Sequence, residues 1–127
     1  MGEPKFLSFE QVAEIHQQAI EEFGGTLGIR DKGALESAIF HPRNIYSYRS
    51  GDLFEIAAAY AFHIAGAQAF LDGNKRTAIG AALTFLEGNG IPTDCDSIPI
   101  YDAMIGIADK RVDRADLADL FRKLFHQ

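Results

Sequence analysis

The chain is organised around the stretch Gln68-Ala69-Phe70-Leu71-Asp72-Gly73-Asn74-Lys75-Arg76-Thr77. This stretch lies between two Ala-rich apolar segments with helical spacing, residues 53–67 and 78–86. The pattern predicts a tight loop that leaves one buried helix and opens the next. The start of a helix carries unpaired backbone N–H groups and a partial positive charge, so the loop is suited to binding an anion.

The side chains of this loop indicate a phosphate ligand. Gly73 lets the backbone approach a ligand closely because it has no Cβ. Lys75 and Arg76 add two cationic donors, a point charge and a planar fork, that fit phosphate oxygens. Asp72 supplies a hard oxygen ligand, and nucleotide-bound Mg²⁺ commonly takes one or two protein carboxylates. Together these residues predict a phosphate-plus-magnesium site.

The loop has two simpler interpretations. Asp72 or Asn74 could be an ordinary N-cap, with Lys75 and Arg76 as a solvated first turn. Two cations at a helix N-terminus oppose the macrodipole, however, so capping leaves them unexplained. A P-loop is excluded because position 68 is Gln rather than Gly, and because the upstream segment is helical rather than a strand.

Residues 70–77 resemble the core of the Fic/Doc motif, whose family form is roughly H-P-F-x-D/E-G-N-(K/G)-R-T. The chain is similar to the short Doc branch, the death-on-curing toxins, from about Ser8 to Leu124. The resemblance implies a compact helical bundle and the use of ATP, or another nucleoside triphosphate, with Mg²⁺. It also implies that Phe70 is a buried anchor.

The resemblance assigns a role to each motif position. Asp72 would hold the metal ion. Gly73, Asn74 and Lys75 would form the anion-binding nest, and Arg76 would contact phosphate as a catalytic residue.

The sequence departs from the family at the residue that accepts the proton of the target hydroxyl. The family's His falls on Gln68, and the Pro that follows it falls on Ala69. Gln cannot act as a general base near neutral pH, although its amide can accept a hydrogen bond. His63 is five residues away, about 140° around a helix, so we expect it to face elsewhere as a packed core histidine.

Three functions are compatible with these residues. The resemblance implies a Doc-type toxin that transfers a phosphoryl or adenylyl group from ATP to a Ser or Thr hydroxyl of a host protein, with activity weakened by Gln68. It further implies a cognate antitoxin and a target such as a translation factor. The alternative is a catalytically inactive Fic-fold module that keeps the nucleotide nest. A structural helical domain without a ligand would leave residues 72–76 unexplained.

Composition restricts the class of protein. The chain has 127 residues, 47% hydrophobic, which suffices for one domain spanning 1–127 and is short for two. A net charge of −6 argues against a general nucleic-acid surface. One cysteine, Cys95, allows no intrachain disulfide, and the histidines lack zinc spacing. We expect a cytoplasmic protein, because we find no apolar run of membrane-spanning length and no signal peptide.

The N-terminal half predicts two helices before the central one. Residues 8–11 read as a capping box for a helix that ends near Phe23, with His16 at its surface or edge. Residues 24–28 are interpreted as a helix stop and turn rather than a phosphate loop. Asp31 is the expected N-cap of a helix over 32–40, which Pro42 should end. The resemblance places a substrate-holding flap at residues 44–50, and an ordinary loop is the alternative.

The C-terminal half predicts the remaining four helices. Asp52 or nearby Ser50 should cap the central helix, and residues 88–90 should stop the helix that follows the motif. Further helices are expected at 98–109 and after Asp113. The D-x-D spacing of residues 94–96 is read as a polar turn rather than a calcium loop. The expected fold is therefore all-α, about six helices in a single bundle, with a small β-hairpin flap as the alternative detail.

Overall fold

The computed structural model describes residues 3–94 and 98–125, so part of the predicted turn at 94–96 lies outside the described residues. Six helices and an isolated two-residue bridge make up the regular structure of these ranges. The all-α prediction is therefore confirmed, and the described residues contain no β-hairpin. The helices are α1 (Phe9–Phe23), α2 (Lys32–Arg49), α3 (Leu53–Ala67), α4 (Asn74–Gly88), α5 (Ile98–Ala108) and α6 (Arg114–Phe125).

Helix α3 is the centre of the molecule, with α2, α4, α5 and α6 packed around it. A helix that is apolar around most of its circumference is suited to this position. Its alanines allow neighbouring backbones to approach closely. The residues of α3 that are buried are Ile56, Ala57, Ala58, Ala59, Tyr60, Ala61, Ile64 and Ala65.

Side-chain caps define the starts of the first three helices. Ser8 accepts the N–H of Gln11, and the Gln11 side chain returns the bond, which confirms the predicted capping box. Asp31 accepts the N–H of Ala34, as expected. Asp52 forms a second capping box with Glu55 at the start of α3. Short polar side chains at these positions satisfy N–H groups that would otherwise lack acceptors.

The prediction that Pro42 ends the second helix is wrong, because α2 continues to Arg49. Proline removes one helical N–H donor, but the apolar stripe does not stop there. Its buried members recur at helical spacing on both sides of the proline, at Leu35, Ala38, Ile39, Pro42 and Ile45. Burial of this stripe outweighs the lost bond, so the helix runs on. Residues 44–49 are therefore helical, so neither the irregular flap nor the ordinary loop considered for residues 44–50 is correct.

Helix α6 closes the side of α3 that α2 and α4 leave open. It buries Leu117, Phe121 and Phe125 on one face. On its outer side, Arg122 donates to the Asp52 carboxylate at 2.9 Å and lies 3.5 Å from Glu55. These ion pairs are partly exposed and individually weak. The apolar face of α6 therefore carries most of its stability.

The segment before α1 is attached to the core through a buried tyrosine. The Tyr60 hydroxyl accepts the backbone N–H of Leu7 at 2.8 Å, and both residues are buried. Burial raises the pKa of Tyr60 to about 12, with the Leu7 hydrogen bond and Arg43 acting in the opposite direction. No helix in the described ranges combines the length and apolar character needed to cross a bilayer.

We expect Tyr60→Phe to lower the free energy of unfolding by about 1–3 kcal/mol, because the Leu7 N–H would remain buried without an acceptor. Tyr48→Phe is the matched control, since Tyr48 is 84% exposed and should change stability by less than about 0.5 kcal/mol. Urea denaturation of the three proteins measures the difference. Equal stability of the two variants would contradict this account of Leu7.

Candidate functional site

The N-terminus of α4 lacks a side-chain cap, unlike α1, α2 and α3. It begins after Gly73, whose φ of +77° is a left-handed conformation that suits glycine. The backbone N–H groups of residues 73–76 have no acceptor among the described residues, and the first paired one belongs to Thr77. The alternative in which Asp72 or Asn74 caps this helix is therefore wrong. The helix start remains open to an anion.

Asn74 does not cap the helix because its side chain holds the loop. The Oδ1 atom accepts the Phe70 N–H at 3.0 Å, and Nδ2 donates to the Phe70 carbonyl at 3.1 Å. Phe70 is only 1% exposed, which confirms it as a buried anchor. Its ring stacks on His16, with centroids 3.8 Å apart and planes within 10°. Asn74 thus contributes to the site by fixing the loop that presents the open N–H groups.

The prediction that His16 is a surface or edge residue is wrong, since it is only 2% exposed. The motif loop covers it. Its Nε2 atom lies 2.8 Å from the backbone carbonyl oxygen of Asp72, and its ring lies against Phe70. Sequence reasoning missed this residue because its partners are more than 50 positions away in the chain.

Asp72 contacts the glycine-rich segment at residues 24–28, a turn that lies more than 40 positions away in the chain. Its Oδ2 atom accepts the N–H of Thr26 at 2.7 Å, and a Cβ on Gly25 would lie 3.1 Å from the Asp72 Cβ. The carboxylate is exposed at the surface, and its other oxygen has no partner in the described part of the chain. One free carboxylate oxygen beside an open helix N-terminus fits the way Mg²⁺ binds together with a nucleotide.

The segment that follows the glycines runs alongside the motif. Ile29 and Phe70 form an antiparallel bridge, in which the Leu71 N–H donates to Gly28 at 3.0 Å. The Arg30 guanidinium also donates to the backbone carbonyl of Gln68. Arg30 therefore lies at the edge of the site. Residues 28–30 therefore supply the extended chain that lies beside the motif. The substrate-holding flap that the resemblance implied was placed instead at residues 44–50, which are helical as far as Arg49.

The two cations of the motif are placed differently. Lys75 is exposed and forms no ion pair or hydrogen bond with the described residues. The Arg76 guanidinium lies over the Phe23 ring at 3.7 Å and 5.3 Å from the centre of the Tyr101 ring. Aromatic faces attract a guanidinium without neutralising its charge. Both cations therefore keep their charge for a bound anion.

These residues surround one open depression of about 380 Å³. A cavity of about 530 Å³ lies elsewhere, between α2, α3 and α6, and is lined by charges of both signs. The motif depression is smaller, but the open N–H groups and free cations converge on it. It brings together every residue that the sequence proposed for the site, namely Gln68, Asp72, Gly73, Asn74, Lys75 and Arg76, with Leu71 and Tyr101.

Gln68 occupies the end of α3 with a φ of +51°. Its side-chain Nε2 donates to the Ala65 carbonyl at 2.9 Å. Because the amide nitrogen is engaged, Oε1 is the atom left to accept a hydrogen bond. None of the described residues that line the depression is a histidine, so no described imidazole there replaces a general base.

His63 lies in a separate cluster with His41 of α2 and Arg114 of α6, so it faces away from Gln68 as predicted, but it is half-buried rather than a core residue. Its ring stacks on His41 at 4.1 Å, and its Nε2 accepts from Arg114 at 3.1 Å. Burial lowers the pKa of His63 to about 4, and positive charge on His41 and Arg114 acts in the same direction. A histidine held neutral in this cluster does not serve the motif loop.

The fold and the motif loop together define a Fic-type protein. Residues 6–86, more than half of the chain, match the Fic/DOC family, and the chain belongs to that family. Its sequence is 34% identical to "Protein kinase doc" of Escherichia phage P1 over 122 residues, covering 95% of this chain and 96% of that protein. It is 38% identical to "Toxin Doc" of Mycolicibacterium smegmatis over 100 residues, covering 76% and 77%. The chain is a homologue of Doc toxins.

The lowered pKa of His63 predicts a dependence of stability on pH. An unfolded chain binds a proton on this residue below about pH 6.5, whereas the folded protein does so only near pH 4. The corresponding stability is present above about pH 6.5 and is lost as the pH falls toward 4. We expect His63→Gln, which keeps an oxygen to accept from Arg114, to lose less free energy of unfolding than the wild type over this window.

Denaturant unfolding of both proteins at about pH 7.5 and about pH 4.5 measures this difference. Parallel losses in the two proteins would show that His63 does not contribute to the acid sensitivity.

Proposed function

We propose that this protein is a Doc-type toxin that transfers the γ-phosphoryl group of ATP to a Ser or Thr hydroxyl of a host protein. The observation that carries the proposal is the uncapped start of α4, with Asp72, Lys75 and Arg76 beside it. The name "Protein kinase doc" of a relative aligned over 95% of the chain supports a kinase reaction over adenylyl transfer.

Each group has a distinct role in this reaction. The open N–H groups of residues 73–76 hold phosphate oxygens, with the dipole of α4 behind them. Lys75 and Arg76 offset the charge that develops as the phosphoryl group moves. Asp72 would hold Mg²⁺ through its free carboxylate oxygen, and the ion would supply positive charge that neutralises the phosphates. The hydroxyl oxygen of the target forms the new bond to the γ-phosphorus, the bond from that phosphorus to the oxygen it shares with the β-phosphate breaks, and ADP leaves with that oxygen. The hydroxyl proton passes to a phosphate oxygen or to water.

Gln68 makes the proton transfer the weak step. Its Oε1 can accept a hydrogen bond from the target hydroxyl and orient it, but it cannot take the proton near neutral pH. A general base is usually worth about 10²- to 10⁴-fold in rate. Phosphoryl transfer depends mainly on positioning and charge stabilisation, so the reaction persists at a lower rate.

The target protein is expected to bind along residues 28–30. The N–H and carbonyl of Ile29 have no partner in the described ranges, and the residue is 41% exposed beside the motif. An exposed strand edge of this kind accepts an extended peptide through main-chain hydrogen bonds. A host protein such as a translation factor, and a cognate antitoxin that blocks the site, are the partners that we propose.

A second candidate is an inactive module that binds nucleotide without turnover. The bond from Gln68 Nε2 to Ala65 favours it, because the side chain at the base position is tied to its own helix. The two candidates share the nucleotide site and differ in transfer. Binding and transfer therefore have to be measured separately.

Calorimetry with Mg²⁺ and ATP tests the shared site. We expect Lys75→Ala to weaken nucleotide binding about tenfold or more through loss of a charge-assisted contact, and Asp72→Ala to remove its Mg²⁺ dependence. Lys123→Ala is the matched control, because Lys123 is an exposed lysine on α6, away from the motif. If the wild type binds no nucleotide, both candidates fail.

Transfer from labelled ATP into a cell lysate separates the toxin from the module. We expect label from the γ-phosphate, and not from the α-phosphate, to enter a protein band. Gln68→His should raise the rate by about 10²-fold or more, because it supplies a general base. Transfer of the α-label would indicate adenylylation instead. No transfer by either the wild type or Gln68→His would leave the binding module as the function.

A further inference from the structure

We propose that His16 is a positioning residue that sets the direction of the first N–H group in the phosphate-binding loop. This inference rests on the proposed function and adds to it a residue outside the motif. His16 lies on α1, 56 positions from its hydrogen-bond partner in the loop, and is 2% exposed. It therefore contacts no ligand itself and acts through the backbone.

The contact fixes the hydrogen on the His16 ring. A carbonyl oxygen only accepts hydrogen bonds, so the Nε2 atom, 2.8 Å from the Asp72 oxygen, carries a hydrogen and donates it. Stacking against Phe70 sets the plane of the ring, with centroids 3.8 Å apart. Phe70 is itself held by Asn74. The donor is therefore fixed in direction as well as in distance.

A peptide plane transmits this direction to the next residue. In a trans peptide the C=O and the following N–H point to opposite sides of the chain. The Asp72 carbonyl points toward His16 on α1, so the Gly73 N–H points away from α1. That N–H is one of the groups without an acceptor in the described ranges. Donation to the carbonyl also polarises the peptide and strengthens its N–H as a donor.

Packing alone does not hold this peptide. A Cβ on Gly73 would lie 3.2 Å from Ile20 Cδ1 and 3.8 Å from His16 Nε2, so both residues of α1 support the loop. Gly73 has a φ of +77°, and glycine reaches other backbone conformations readily. Ile20 offers only apolar contact. The His16 hydrogen bond is what distinguishes one orientation of the Asp72–Gly73 peptide from its flipped form.

The ligand-free protein gives the first test. Long-range ¹H–¹⁵N spectra are expected to show His16 with its hydrogen on Nε2 at neutral pH. A hydrogen on Nδ1 alone would overturn the proposal, whatever the nucleotide does. This measurement does not depend on the proposed function.

Two variants separate the hydrogen bond from ring packing. His16→Phe keeps a ring to stack on Phe70 but has no donor, whereas His16→Gln keeps a nitrogen donor at a similar reach and loses the ring. We expect His16→Phe to raise the Kd for ATP in the presence of Mg²⁺ about tenfold, which is the effect of losing one hydrogen bond. His16→Gln should stay within about threefold of the wild type. Ile20→Val, which trims the other support of Gly73, is the packing control and should behave like His16→Gln.

The Gly73 amide provides a readout that loss of stability would not mimic. Its resonance is expected to shift on addition of Mg²⁺ and ATP in the wild type and in His16→Gln, and to shift much less in His16→Phe. Equal affinity of His16→Phe and the wild type would overturn the proposal. The proposal would also be overturned if nucleotide affinity fell in all three variants in proportion to the drop in their melting temperatures. If the wild type itself binds no ATP, the proposed function fails, and the ring tautomer decides whether His16 orients the loop.

Discussion

The paired hydrogen bonds between Asn74 and the backbone of Phe70 are the constraint on which the site depends. Asparagine at the start of a helix ordinarily caps it. Here the Asn74 side chain bonds the backbone of Phe70 in the loop instead, so the first N–H groups of α4 have no side-chain acceptor. The same bonds hold Phe70 in the core, which brings the motif against α1 and against residues 28–30. One side chain thereby couples the folding of the loop to the exposure of its donors.

The sequence predicts the number of helices and the starts of the first three from short-range patterns. The caps at Ser8, Asp31 and Asp52 were predicted because capping is decided within four residues. The local rule that a helix ends before proline fails at Pro42, because burial of Ile45, three residues beyond the proline, outweighs the lost hydrogen bond. Burial of this kind depends on α3, which a short window of sequence does not include.

The motif residues were predicted as a group, and the depression brings them together. The contributions from outside the motif were not foreseen. His16, Phe23 and Thr26 reach the site from α1 and the turn after it, roughly 50 positions away. No periodicity signals such contacts. The turn was assigned correctly as a helix stop, yet its position against Asp72 follows only from packing of α1 on α4.

The position of α6 in the chain sets the order in which the parts of the fold are synthesised. Helix α3 is buried partly by residues 114–125, and Arg122 reaches back to Asp52 and Glu55 at its start. During synthesis, α3 therefore leaves the ribosome well before α6, the helix that covers its remaining side, has been made. The hydrogen bonds that hold the motif loop come from α1, from residues 26–31 and from the loop itself, all of which precede α6 in the chain. A nascent chain therefore already contains every described hydrogen-bond partner of the motif loop while one side of α3 is still uncovered.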